Sequence, residues 1–406
     1  MKKGHLSEYF DGVAVKRLSA VEADPKTSNQ HEIGTTKEMR AFLGEMQKQK
    51  FEVNYIWLGD EQEGIPHQDF ATHYDTRFNQ PNRSPEWRLY YPSNPVTYLM
   101  QEGDTLFLAK RPDSSLLFVV VPPGSTIQNQ LLWLFGFDSQ PQLNFSTQQF
   151  EDDADAALDF AARFILDELG IEFEDPNANS LDTIIDRFGM TFPKTFEFSQ
   201  LARLTLPHVR GEDDPDIALM AWLDHEEAMF RRLERRIVSA RISAGFQNGT
   251  DVDVDGFLKF SLGVQNRRKS RMGLSFEHHL AAVFDAIGVR HIKGGKTERN
   301  NKPDFLFPGQ EAYNNSSFPQ NQLTMLAAKS ICKERWRQIL PEADRIPAKH
   351  LVTLEPSISS QQTDQMQAHD IQLIIPRPLQ NSYTDVQSQW LWDLSDFIEH
   401  VQSLDK

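Results

Sequence analysis

The segment Lys302-Pro-Asp-Phe-Leu-Phe-Pro308 sets a carboxylate, Asp304, at the mouth of a short apolar run. A second apolar run, 323–328, is followed directly by Lys329, and Glu342 comes after a stretch with helical character that begins near Glu334. Two carboxylates and a lysine converging on one sheet edge could hold Mg²⁺ and activate water against a phosphodiester. Hard, oxygen-preferring Mg²⁺ takes one or two carboxylates and leaves the rest of its shell to water and phosphate. The lysine would orient the attacking water and offset charge on the transition state. The same residues also fit a plain Pro-Asp turn entering a strand, with a lysine at a strand end.

Other residues bear on this chemistry. Glu277 has Leu280 and Phe284 at i+3 and i+7, so it borders a buried helix face. A carboxylate there either supports the metal site or pairs with one of the nearby arginines. Lys333-Glu-Arg335 opens a helix: arginine suits guanine O6 and N7 and glutamate suits the cytosine amino group, so Lys333, Glu334 and Arg335 can read a C·G pair or be simple charged surface. Arg267, Arg268, Lys269 and Arg271 are candidate phosphate contacts, which supply affinity but little sequence information. A zinc site is not expected, since His278 and His279 are adjacent on one helix and Cys332 is the only cysteine. No Gly-rich phosphate loop occurs, so no nucleotide cofactor is expected.

The elements that must position these groups divide the chain. Residues 13–18, 53–57, 105–110 and 116–121 are β-rich runs separated by polar or Pro/Gly punctuation, as in a barrel-like domain, and 110–115 looks like a hairpin turn. A helix is expected over 152–169, ended by Gly170, and then an acidic linker. Farther on, helices are expected over 216–240, 256–262 and 275–287, the last capped by Ser275. Strands at 289–292, 304–307, 323–328, 350–354 and 371–375 then alternate with helices at 334–340, 363–369 and 386–404, an α/β pattern with a mixed sheet.

The 406 residues suffice for two domains, and 39% hydrophobic content can supply their cores. The net charge of −16 argues against a nucleic-acid partner until its distribution is read. Residues 151–187 hold twelve acidic residues against Arg163 and Arg187, whereas 265–303 hold nine basic residues against Glu277, Asp285 and Glu298. A local basic face matters more for DNA than the total. The longest apolar run, 116–121, is too short to span a membrane, and the first residues lack a secretory apolar run, so a cytoplasmic protein without a membrane partner is expected.

The blocks Asn266-Arg-Arg-Lys-Ser-Arg-Met-Gly273, 301–308, Ala312-Tyr313, Cys332-Lys-Glu-Arg-Trp-Arg-Gln-Ile-Leu340, Glu342-Ala-Asp344 and His350-Leu351 occur in one order. Together they closely resemble the C-terminal domain of EcoRII-type restriction endonucleases, from about Phe196 to the end. A fainter likeness reaches Lys16-Arg-Leu-Ser-Ala20, His31 and Tyr74-Asp-Thr-Arg77. The resemblance implies a Mg²⁺-dependent homodimer that cuts double-stranded DNA at short CC-x-GG sites. It places the metal-site aspartate at Asp304, the lysine at Lys329, the displaced carboxylate at Glu342 and a nearby tyrosine at Tyr313, with Glu277 in support. Ala327 stands where the wider nuclease pattern has an acidic residue, as in the EcoRII-type variant. The resemblance assigns base reading to Lys333, Glu334 and Arg335, and effector-DNA contacts to His31, Arg83, Glu86 and Arg88. Thr36 and Trp87 depart from the tyrosine and lysine of that pattern.

The fold expected is α+β and multidomain: an effector DNA-binding β-pseudobarrel over 1–175, a linker over 176–194, and an α/β restriction-endonuclease-like domain with a mixed sheet over 195–406. The rival reading is a non-catalytic DNA-binding regulator that retains the nuclease fold.

Overall fold

The computed structural model describes residues 5–23, 31–60, 64–80, 82–138, 140–150, 158–173, 178–248 and 251–404, in two compact units, Met1–Phe173 with Ser357–Ser359 and Glu174–Pro356 with Ser360–Lys406.

The first unit is built on eight strands, β1 Gly12–Arg17, β2 Glu32–Gly34, β3 Lys48–Trp57, β4 Ile65–Asp75, β5 Trp87–Tyr90, β6 Thr105–Lys110, β7 Leu116–Val121 and β8 Ser146–Gln149. They form one sheet in the order β2-β5-β4-β3-β7-β6-β1-β8, antiparallel except for the parallel β3/β7 pair. Because successive strand residues point to opposite faces, the apolar runs of β1, β6 and β7 feed two cores at once. Val13, Val15, Phe107 and Val119 enter one core, Ala14, Leu106, Phe118 and Val120 the other. Helices Thr126–Leu134 and Phe160–Glu168 cover the first face and helix Lys37–Leu43 the second.

Local chemistry fixes the boundaries. The β6/β7 turn closes through Ser114 at φ 70°, with the Asp113 carboxylate accepting from the Ser115 N–H at 2.9 Å. The helix expected from residue 152 begins at Phe160, where the Asp159 carboxylate accepts from the Ala162 N–H; residues 151–157 lie outside the described residues. It stops at Gly170, whose φ of 71° few other residues adopt.

In the second unit, the expected linker is packed structure. Leu181 and Ile185 join Phe198, Leu201, Met229, Phe230 and Leu233 in one core, and Asp182 pairs with Arg232 and Arg236. Residues 176 and 177 lie outside the described residues. Helices Thr195–Leu204 and Pro215–Ser243 follow, the latter started by the Asp214 side chain with a proline in the first turn.

The two helices expected over 256–262 and 275–287 are one helix, Val254–Ile287. Residues 265–272 include Gln, Arg, Lys and Met, which propagate a helix well, so nothing breaks it there. Ser275 is therefore not a cap but a buried mid-helix residue. Before it lies a small hairpin, β9 Gln247–Asn248 and β10 Asp251–Val252.

The second sheet contains β11 Ile292–Lys293, β12 Phe305–Phe307, β13 Thr324–Lys329, β14 Lys349–Thr353 and β15 Ile371–Ile374, in that order. The pairs β11/β12 and β12/β13 are antiparallel, β13/β14 and β14/β15 parallel, so the sheet is mixed. Phe284 of the long helix meets Phe305 and Phe307 edge-on at 5.4 and 5.3 Å, and Phe307 meets Phe397 at 5.4 Å. The closing helix is shorter than expected, split into Asp385–Ser388 and Leu394–Leu404, because the intervening Trp392 backbone bonds to Leu373 and Ile375 beside β15.

Candidate active site

Asp304 stands immediately before β12, and Lys329 is the last residue of the neighbouring β13. The antiparallel register brings the two ends together. The Asp304 Oδ2 accepts from the Ala328 N–H at 2.7 Å and from the Lys329 Nζ at 2.8 Å. Both side chains are largely covered, with 17% and 15% exposure, so the pair sits in a poorly screened environment.

Glu342 lies on a turn after the 3-10 helix Lys333–Ile339. Its Oε2 is buried and has no hydrogen-bond partner among the described residues. Burial pushes this carboxyl up to about 7, the positive charge of Lys329 opposing the shift and the negative charge of Asp304 adding to it. Those influences place the three groups within electrostatic reach of one another.

The turn is held from several sides. Lys349, the first residue of β14, donates from Nζ to the carbonyls of Glu342, Ala343 (2.8 Å) and Ile346 (2.5 Å). Ala343 has φ 51°, a conformation that needs such support. Asn301 donates to the Pro341 carbonyl at 2.7 Å, and the Glu298 Oε2 accepts from the Asp344 N–H at 3.1 Å. Tyr313, buried, donates its hydroxyl proton to the same Glu298 oxygen at 2.5 Å. Burial and that carboxylate hold the Tyr313 hydroxyl well above its usual range. Its recorded partners are thus Glu298 and Arg345, not the Asp304–Lys329 pair.

Glu277 pairs with Lys293 at 3.0 Å, a lysine rather than one of the arginines. Lys293 lies opposite Phe305, and the next residue, Gly294, donates its N–H to the Asp304 carbonyl at 2.9 Å. Glu277 therefore borders the strand that presents Asp304.

The Lys333–Arg335 block starts the 3-10 helix. With three residues per turn, Trp336 and Ile339 stack on one face, where both are fully buried, while Arg335 is exposed. The Glu334 side chain lies outside the described residues. Among the expected phosphate contacts, Arg267 and Lys269 are exposed, Arg267 lying over the Phe192 ring at 4.0 Å. Arg268 is bonded at 2.6 Å to the buried Glu234. Arg271 does not belong to this surface: it is 6% exposed and paired at 3.1 Å with Glu226, which also bonds His279 at 2.8 Å. Its charge is consumed inside the helical layer.

In the first unit, β2 pairs with β5, which brings His31, Glu86 and Arg88 to one strand pair. His31 bonds Ser93 at 3.1 Å, and Glu86 lies between Arg77 (2.5 Å) and Arg88 (2.6 Å). Arg83 is exposed. Thr36 caps helix Lys37–Leu43, and Trp87 stacks on His73 at 4.9 Å, so both departures have local structural jobs.

Sequence reasoning missed Lys349 and Glu298. Lys349 carried a readable signal, a lysine entering an apolar strand; Glu298 did not. Among the described residues no group of three or more His, Cys, Asp or Glu could hold a metal. The donors Asp304 and Glu342 nevertheless fit Mg²⁺, because the unpartnered buried Glu342 oxygen is what a hard cation would satisfy.

Residues 230–398 match the family described as EcoRII C terminal. The type II restriction enzyme EcoRII of Escherichia coli is 36% identical over 236 residues, 58% of this chain and 57% of that enzyme, so the match spans little more than half of its length. Two solved structures, metal-depleted Ecl18kI in complex with uncleaved, modified DNA and with uncleaved DNA, are 17% identical, with TM-scores of 0.44 and 0.42 over 56% of this chain and 84% of theirs. The matched region carries Asp304, Lys329 and Glu342 and is similar in sequence to the EcoRII C-terminal family.

Proposed function

We propose that this protein is a type II restriction endonuclease, a Mg²⁺-dependent enzyme that hydrolyses double-stranded DNA at a short CC-x-GG type site. The observation that carries the reading is the Asp304–Lys329 pair where β12 begins and β13 ends, with a Glu342 oxygen, unpartnered among the described residues, within electrostatic reach. Asp304 and Glu342 would hold the ion, which when bound supplies positive charge to the scissile phosphate. Lys329 is placed to orient the attacking water and to offset charge as it develops. Lys333, Glu334 and Arg335 would read C·G pairs, and Arg267 and Lys269 would engage phosphates.

Cutting both strands of a two-fold site calls for a homodimer acting in the cytoplasm. In the same reading the first unit is an effector domain of pseudobarrel type that binds a second copy of the site through His31, Arg83, Glu86 and Arg88 and regulates the nuclease. A non-catalytic DNA-binding regulator would have no use for a buried carboxylate oxygen left without a partner, which favours the enzyme.

Incubating the protein with long DNA, with and without Mg²⁺, and sequencing the ends tests this directly. Ends clustered at one short sequence, formed only with the metal, are expected. Intact DNA under all conditions, with specific binding retained, would establish the regulator instead.

A further inference from the structure

Behind the Lys333–Arg335 block lies a buried carboxylate with a specific attachment. Glu355 is 1% exposed, and its Oε2 accepts from two consecutive backbone N–H groups, Cys332 at 2.6 Å and Lys333 at 2.8 Å. The backbone there is contorted: Cys332 is helical, Lys333 has φ 39°, and the Arg335 N–H returns to the Cys332 carbonyl at 2.7 Å. A non-glycine residue at positive φ persists only where its surroundings over-determine it. The Glu355 side chain supplies that constraint, since one buried oxygen holds two consecutive N–H groups at once.

Glu355 is itself fixed. Its N–H donates to the Thr353 Oγ1 at 3.2 Å and its carbonyl accepts from the Tyr383 hydroxyl at 2.5 Å. Thr353 ends β14 directly opposite Lys329 of β13. The residue that grips the start of the block is therefore referenced to the same strand pair that presents the catalytic lysine. Retaining a buried carboxyl group here, where desolvation of a polar group is costly, has a return if the block must be held in one orientation.

We infer that Glu355 is the positioning residue for base recognition: it sets the orientation of Lys333–Arg335 relative to the Lys329 end of β13, and discrimination at C·G pairs depends on it. This rests on the reading of that block as the base-reading element. Glu355 touches no DNA in this account; it acts through the Cys332 and Lys333 backbone.

The test uses the full-length protein and a site mapped from its own cut ends. Single-turnover cleavage is measured on a duplex carrying that site and on duplexes with one C·G pair exchanged, for the wild type, Glu355→Gln and Glu355→Ala. The ratio of mapped-site to exchanged-site rates is expected to fall roughly tenfold in Glu355→Gln and further in Glu355→Ala, the scale set by one good base contact. Glu355→Gln keeps the shape and an acceptor oxygen, so it decides the matter if Glu355→Ala does not fold. Equal slowing on every duplex, leaving the wild-type ratio intact, overturns the inference and makes Glu355 a fold-holding residue only. A wild type that cuts no duplex overturns the proposed function, a separate result read before any variant is compared.

Discussion

The ammonium of Lys349 grips the backbone carbonyl of Glu342 and not its carboxylate. A buried lysine beside a buried glutamate would ordinarily form an ion pair. Here its hydrogen bonds go to the carbonyls of Glu342, Ala343 and Ile346, and among the described residues Glu342 Oε2 has no partner. The arrangement stiffens the turn while keeping the oxygen free for a cation.

Lys349→Met should therefore weaken metal use before anything else. The Mg²⁺ concentration giving half-maximal cleavage is expected to rise roughly tenfold, as for loss of a group that orients a metal ligand. Ca²⁺ titration calorimetry without DNA should show the same loss of affinity. An unaltered Mg²⁺ requirement in a folded variant would remove Lys349 from this role.

Asp304→Ala and Lys329→Ala should each abolish cleavage and leave specific DNA binding largely in place. Neither change touches Lys333 or Arg335. Gel-shift and cleavage assays on the same duplex separate the two properties, and near wild-type cutting by either variant would refute the assignment.

Glu342 makes stability depend on pH with a definite sign. Its carboxyl is raised from 4.5 to about 7 in the folded chain. Below pH 4.5 it is protonated whether folded or not and costs nothing; as pH rises through 7 the folded state must carry an ionised buried carboxylate. Without metal, Glu342→Gln should thus be neutral near pH 4 and stabilising by about 1–2 kcal/mol at pH 8, a figure discounted for the partial exposure of the group. Thermal melts at the two pH values check it; equal effects at both would contradict the shift.

Arg335→Ala should cost roughly 1–3 kcal/mol of discrimination at a C·G position. Arg267→Ala and Lys269→Ala should weaken binding to all sequences alike and each lower the salt slope by about one. Arg271→Ala should instead destabilise the fold by about 3 kcal/mol, because it strips a partner from the buried Glu226. Salt-dependent binding on matched and single-substituted duplexes, with denaturant melts, distinguishes the three classes; uniform losses for Arg335→Ala would make it a phosphate contact.

Much of this was legible in the chain itself. The strands β6 and β7 follow unbroken apolar runs and match the expected 105–110 and 116–121 at both ends. The pairing of Asp304 with Lys329 was likewise readable, because each borders an apolar run. β4 was not: its residues 65–75 mix polar and apolar side chains with no simple alternation, and neighbouring strands decide the matter. Residues 176–194 read as a linker because they continue an acidic, proline-containing stretch, yet Leu181 and Ile185 are buried by helices that begin farther along the chain. Arg271 read as surface for a similar reason, since its burial depends on Glu226 in another helix.

The placement of Glu342 on a turn beyond β13, with an apolar residue at Ala327, has a consequence for how such a site can change. An acidic residue on the strand would stay put whatever happened to the loop that follows it. Here the chain runs from Lys329 through Lys333–Arg335 to Glu342 without interruption, so in the proposed function one continuous stretch would both inspect the sequence and supply a group for severing it. A misfit at the inspected bases would strain the same backbone that must deliver the carboxylate. Fidelity would then need no separate messenger between recognition and scission, and an altered loop would be judged at once by what it binds and by whether it can still cut.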